Sequence, residues 1–156
     1  MSLTPLDYKK QANEYYSKQQ WSLAIDAYSK AIEIIRTTTS NESIPLYLLY
    51  LNRSSAYIQD KNFFDGYQDA RQSLKLKAEA NSKGYYCAGI CAYRLGFIDK
   101  ATKYAEQAIN GQREEFNGYL DLKYLLEKKV NSIKRWRKNN MTATKCLDRL
   151  QQITHQ

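Results

Sequence analysis

The sequence predicts an all-α chain: stacked helix pairs in an α-α superhelix, followed by a long C-terminal helix. Three observations carry that expectation. Helix breakers are scarce, with two prolines and six glycines among 156 residues. Small residues recur at offsets of 12 and then 7 in three separate segments. Turn-forming residues fall between the first and second small residue of each segment, where two antiparallel helices would join. The length fits one domain with a core that needs neither disulfides nor metals. Apolar residues at 43% and charged residues at 26% exclude a chain disordered throughout.

The first helix starts at Thr4-Pro5 with Asp7 close behind: an N-cap hydroxyl, a proline in the first turn and an acid at the positive end. The first repeat begins at Lys9 and carries Ala12, Ala24 and Ala31. The second begins at Leu51 and carries Ser54, Gly66 and Ser73; the third begins at Lys83 and carries Gly89, Ala101 and Ala108. A ring follows three residues after the first small position in two repeats, as Tyr15 and Tyr57, and the third departs with Ala92. Small residues let two helix backbones approach closely, and large rings fill the space on either side. The turns are expected at Gln19-Gln20, Asp60-Lys61-Asn62 and Leu95-Gly96. The first small residues of successive repeats lie 42 and then 35 residues apart, because the polar segment from Thr37 to Leu46 lengthens the first link. The repeats are placed at residues 5–38, 45–78 and 81–112 within 1–112. Residues 113–156 are assigned to a long basic helix and a short terminal helix around Thr142 to Ile153, where Cys146, Leu147, Leu150 and Ile153 keep helical spacing.

Charge is unevenly placed. Residues 1–121 hold 15 Lys/Arg and 14 Asp/Glu, whereas residues 122–156 hold nine and two. The basic run Lys134-Arg135-Trp136-Arg137-Lys138 could meet nucleic acid or acidic lipid, but too few aromatics interleave for base stacking. The solvated face of a long helix is the preferred reading. No stretch is apolar enough to span a membrane, and no targeting leader is readable, so a cytoplasmic location is expected. Cys87, Cys91 and Cys146 match no zinc spacing, and the single histidine is the penultimate residue, His155. No catalytic residue, metal or cofactor is therefore expected.

The nine small positions resemble tetratricopeptide repeats, helix–turn–helix units of about 34 residues that stack into a superhelix. The resemblance covers roughly residues 5–110; no proline closes the repeats, and Ser54 stands where Gly or Ala is usual. Lys9 and Asn13 share a face of the first helix, Asn52 stands two before Ser54, and Lys83 stands six before Gly89. That set resembles the carboxylate clamp of co-chaperone tetratricopeptide domains, which grip the Glu-Glu-Val-Asp tail of cytosolic heat-shock chaperones. The resemblance implies that Lys9, Asn13 and Asn52 hold the terminal main-chain carboxylate. Lys83 would hold the side chain of the last Asp.

Many clamps carry an Arg four residues after the third-repeat Lys; this chain has Cys87 there, which by that resemblance belongs to the peptide-binding groove and could merely fill its wall. A clamp without that Arg, together with the run Lys128-Lys129-Val130-Asn131-Ser132-Ile133, resembles the tetratricopeptide domain of the CHIP-type ubiquitin ligases. In that resemblance Phe116 and Tyr86 would wall an apolar pocket for the peptide; Phe116 fits a core role equally well, and Tyr86 could instead pack between repeats. The expected partner is the C-terminal tail of a chaperone of the 70 or 90 kDa class. Two alternatives stay open: a scaffold for an unrelated protein, and a substrate-recruiting fragment of a ubiquitin ligase whose catalytic part lies outside this sequence.

Overall fold

Thr4 opens the first helix with a reciprocal cap. Its hydroxyl oxygen accepts from the Asp7 backbone N–H at 3.2 Å, and its own N–H donates to the Asp7 carboxylate at 3.1 Å. From there the chain, described by a computed structural model, is helical. The structure describes residues 3–38, 44–79, 81–110 and 117–154, with side chains left out at 110, 117–120 and 142–154. The helices are α1 (Pro5–Ser17), α2 (Trp21–Thr37), α3 (Leu46–Gln59), α4 (Phe63–Leu76), α5 (Ser82–Arg94), α6 (Ile98–Asn110) and α7 (Asn117–Thr154). No strand occurs among the described residues.

Each pair turns in the same way. Gln19, Lys61 and Gly96 adopt the left-handed conformation, with φ of 59°, 62° and 83°. Around them the backbone closes one repeated pattern. The N–H groups of Gln20, Asn62 and Phe97 donate to the carbonyls of Tyr15, Tyr57 and Ala92 at 2.8–2.9 Å. Those of Gln19, Lys61 and Gly96 donate to Tyr16, Ile58 and Tyr93 at 3.0–3.2 Å. This is the Schellman arrangement, which satisfies helix-end carbonyls and reverses the chain in two residues. All three turns lie where the sequence places them. Only the third uses glycine; the other two hold side chains in a conformation that costs an L-residue about 1–2 kcal/mol.

The nine small residues of the repeat pattern are all buried. Ala12, Ala24, Ala31, Ser54, Ser73, Ala101 and Ala108 are fully enclosed. Ser54, the residue that departs from Ala or Gly, donates its hydroxyl to the Gly66 carbonyl at 2.7 Å on the facing helix. The polar atom is thus satisfied inside a dry contact. Gly89 serves a different neighbour: a Cβ there would stand 2.9 Å from a Leu122 methyl of α7. Neighbouring helices pack in chain order and α3 also touches α5; stacking of this kind sets the first helix of each pair, α1, α3 and α5, along the inner face of the superhelix.

One arginine ties the first two repeats together. The Arg53 guanidinium on α3 grips Asp69 on α4 through Nε and Nη2, at 2.6 and 2.8 Å, and Nη1 donates to Ser29 on α2 at 2.8 Å. The Tyr50 and Tyr57 rings lie 5.6 and 5.8 Å from the guanidinium carbon. Burial works against this cation, but Asp69 outweighs it and holds Arg53 above its usual pKa.

α7 is one continuous helix of 38 residues, where the sequence suggested a long helix and a separate short one. The Asn139-Asn140-Met141-Thr142 stretch reads as a helix start in isolation but contains neither Gly nor Pro to force a break. Leu122 and Leu126 anchor the early part of α7 in the core of the third repeat, while Trp136 and Met141 farther along are exposed.

Asp69→Ala leaves a half-desolvated cation without its partner and is expected to lower unfolding free energy by about 3–5 kcal/mol in urea titrations. Lys61→Gly is expected to raise it by about 1 kcal/mol, because glycine adopts positive φ without a Cβ clash. A destabilised Lys61→Gly protein would mean that this turn is not under strain.

Candidate functional site

Three residues of the expected clamp come together. Asn13 of α1, Asn52 of α3 and Lys83 of α5 line one open pocket of about 270 Å³ on the inner face, with Tyr16, Tyr28 and Ser55 completing the lining. The six side chains offer amide N–H groups, hydroxyls and one ammonium, and no carboxylate is among them. Such a lining suits an anion.

Each member is held from behind. Lys83 sits in the first turn of α5, whose start is fixed by Asn81. The Asn81 side-chain oxygen accepts from the Gly84 N–H at 3.0 Å, and its amide nitrogen donates to the Lys77 carbonyl and the Ser73 hydroxyl at 2.8 and 3.1 Å. Asn81 is itself buried and lies against the bare Cα of Gly84. Asn13 and Asn52 are joined through a third side chain. Tyr28 reaches in from α2 and donates its hydroxyl to Asn13 Oδ1 at 2.6 Å. Asn52 stands close to the same hydroxyl and opposes the effect of burial on it. Burial pushes the Tyr28 hydroxyl up to about 12, so it stays protonated near neutral pH. Tyr16, half-buried beside it, is also raised by burial, partly opposed by a hydrogen bond from Gln59.

The other expected site residues fall differently. Lys9 lies one turn before Asn13 on the same face of α1, outside the residues that line the pocket. Cys87 is 2% exposed and belongs to the core of the second and third repeats. Its sulfur stands 3.7 Å from the Ser55 hydroxyl, so it backs the pocket rather than opening into it. The reason is its apolar chemistry: a thiol joins a small-residue core where an Arg side chain would have to reach solvent. Tyr86 packs, partly buried, against the core of the second and third repeats, and burial raises its hydroxyl, with Cys87 and Asp121 of α7 adding to the effect. Phe116 lies outside the described residues.

Sequence reasoning did not name Tyr16, Tyr28 or Ser55. Tyr16 and Ser55 each stand three residues after a named amide, a same-face helical offset that could have found them. Tyr28 carries no such signal, because a ring four residues after a small core alanine reads as packing.

Two larger clefts run along α7. One of about 560 Å³ lies between α6 and α7, and one of about 620 Å³ lies between the α5–α6 turn and α7. Both mix acids with bases: Glu106 and Glu127 with Lys123 and Lys134 in the first, Asp99 with Lys100, Lys134 and Arg137 in the second. Neither gathers donors from several repeats as the smaller pocket does. Among the described residues, no group of three or more His, Cys, Asp or Glu is placed to hold a metal. No helix among them is long and apolar enough to cross a membrane.

Burial raises both Cys87 and Cys91 above the ordinary thiol pKa, with Ser55 and Lys83 opposing it only at Cys87. Both thiols are therefore expected to resist iodoacetamide at pH 8 in the folded protein and to react once it is unfolded. Rapid labelling of Cys87 under native conditions, mapped by mass spectrometry, would contradict its placement in the core.

No family model matches the chain. Heat shock protein STI1 of Saccharomyces cerevisiae is 35% identical over 109 residues, which is 70% of this chain. The chain spans 17% of the length of that relative. Among solved structures, the Hsp90 co-chaperone Cns1 of Saccharomyces cerevisiae has a TM-score of 0.76 at 21% identity, covering 90% of this chain and 44% of that one. The first TPR of Spaghetti (RPAP3), solved bound to the HSP90 peptide SRMEEVD, has a TM-score of 0.69 at 22% identity, covering 82% of this chain and 94% of that one. The chain thus has the tetratricopeptide-repeat superhelical fold that its small-residue pattern predicts.

Proposed function

We propose that the inner face binds the acidic C-terminal Glu-Glu-Val-Asp tail of cytosolic heat-shock chaperones of the 70 or 90 kDa class, making the chain a co-chaperone-type adaptor. One observation carries this reading: Asn13, Asn52 and Lys83, from three different repeats, surround a single pocket free of carboxylates. The peptide in the RPAP3 domain has the same acidic end, and STI1 is similar in sequence over 109 residues. The mechanism is electrostatic and involves no chemical step. A terminal carboxylate in the pocket accepts from the two amides, and Lys83 neutralises the anionic end. Lys9, one turn beyond Asn13, extends the positive field along α1. Each charge-assisted hydrogen bond contributes roughly 1.5–3 kcal/mol net. Ordering a flexible peptide offsets much of this, so an affinity of about −8 kcal/mol, in the micromolar range, follows.

The narrower CHIP-type reading draws support from Cys87 in place of the clamp Arg and from the long helix that follows the third repeat. It implies a clamp with two cations, Lys9 and Lys83, of which Lys83 in the pocket carries the larger share.

Lys83→Ala is expected to weaken a free-acid tail peptide by about ten- to a hundredfold in fluorescence polarisation, the equivalent of one lost charge-assisted contact. Lys9→Ala is expected to weaken it less, since that side chain stands outside the pocket. Amidating the peptide's C-terminus should abolish binding, and added salt should weaken it. An amidated peptide that binds as well as the free acid would mean that the groove reads something other than a carboxylate.

A further inference from the structure

We propose that the Tyr28 hydroxyl is a positioning residue for the anion site, fixing Asn13 and Asn52 so that both present N–H groups to the pocket. This deepens the tail-binding reading and rests on it. An asparagine amide has two ends, and only the NH₂ end can serve a carboxylate. Nothing in the chemistry of an isolated surface asparagine chooses between them.

The geometry around Tyr28 does choose. A phenol hydroxyl has one proton to give. Tyr28 gives it to Asn13 Oδ1 at 2.6 Å, which holds the carbonyl end of Asn13 toward α2 and leaves Nδ2 turned away from it. Asn52 lies close to the same oxygen and lowers its pKa against burial, as an N–H donor does. With that proton committed to Asn13, Asn52 can meet the hydroxyl only as a donor, through one N–H of Nδ2 with the second left over. Asn13, Asn52 and Tyr28 all line the pocket, which puts both amides within its wall. The Tyr28 ring is 2% exposed and packs in the core of the first repeat, which makes the hydroxyl a fixed reference rather than a mobile one. Preorganised donors bind an anion without the ordering penalty that free side chains incur.

Tyr28→Phe keeps the ring and removes only the hydroxyl. Two readouts test the proposal. The first needs no ligand: ¹⁵N relaxation of the Asn13 and Asn52 side-chain amides should show a clear loss of order in Tyr28→Phe, and unchanged order would overturn the proposal. The second is titration with the free-acid tail peptide. Tyr28→Phe should weaken binding about three- to tenfold, and should weaken it no further in an Asn13→Ala/Asn52→Ala background. An equal loss in both backgrounds would show that the hydroxyl acts through general packing, and would also overturn it. In the wild type, the Tyr28 hydroxyl proton should exchange slowly and show a nuclear Overhauser contact to the Asn52 amide protons; absence of that contact counts against the proposal even if Tyr28→Phe does not fold. Should the wild-type protein bind no tail peptide, the tail reading fails, and the relaxation and proton measurements still decide whether Tyr28 orients the amides.

Discussion

Close approach between paired helices is the constraint on which the rest of the molecule depends. Nine buried positions are Ala, Gly or Ser, and each lets one backbone come near another. A larger side chain at any of them would push two helices apart and change the angle at which the next pair stacks. Gly66 shows how little space is left: a Cβ there would meet the Cys91 sulfur at 3.1 Å and the Tyr57 Cβ at 3.3 Å. Because every pair repeats this contact and the same left-handed turn, α1, α3 and α5 fall side by side. Only that arrangement brings Asn13, Asn52 and Lys83, which are 39 and 31 residues apart in sequence, around one pocket.

The molecule keeps its buried ion pair apart from the cation of its pocket. Arg53 and Asp69 are matched, bidentate and further bonded to Ser29, so that pair fixes how α2, α3 and α4 meet. Lys83 is exposed and lies in a lining without acids. A matched pair holds structure, whereas an unmatched cation next to fixed N–H donors attracts an anion. Cys87 marks the boundary between the two regions. It fills the core under Ser55, so the pocket has a small-residue floor where an arginine-bearing clamp would have a third cation.

The repeat architecture was legible in the sequence because stacking imposes a period, and the period survives in Ala12, Ala24, Ala31 and their counterparts even where the rings between them vary. The turns were legible for the same reason. Asn13, Asn52 and Lys83 could be named because polar residues at inner-face offsets have no packing role. The Arg53–Asp69 pair was not legible: its partners are 16 residues apart on different helices, and either residue alone reads as surface charge. Tyr28 looked like a core ring, and it is one; only the three-dimensional placement of its hydroxyl reveals the second role. Cys87 was assigned to the groove by alignment with a clamp Arg, and a short apolar side chain at that position sinks into the core instead. The unbroken α7 was missed because a polar Asn-Asn-Met-Thr stretch ends a helix only when something else in the chain stops it.

The central claim is that the inner face carries one anion site assembled from three repeats. Chemical-shift mapping with an acidic free-acid tail peptide tests it most directly. The account predicts saturable shifts at the Asn13 and Asn52 side-chain amides and at the Lys83 backbone amide, with the basic face of α7 unmoved. Shifts confined to α7, with those three residues silent, would contradict it.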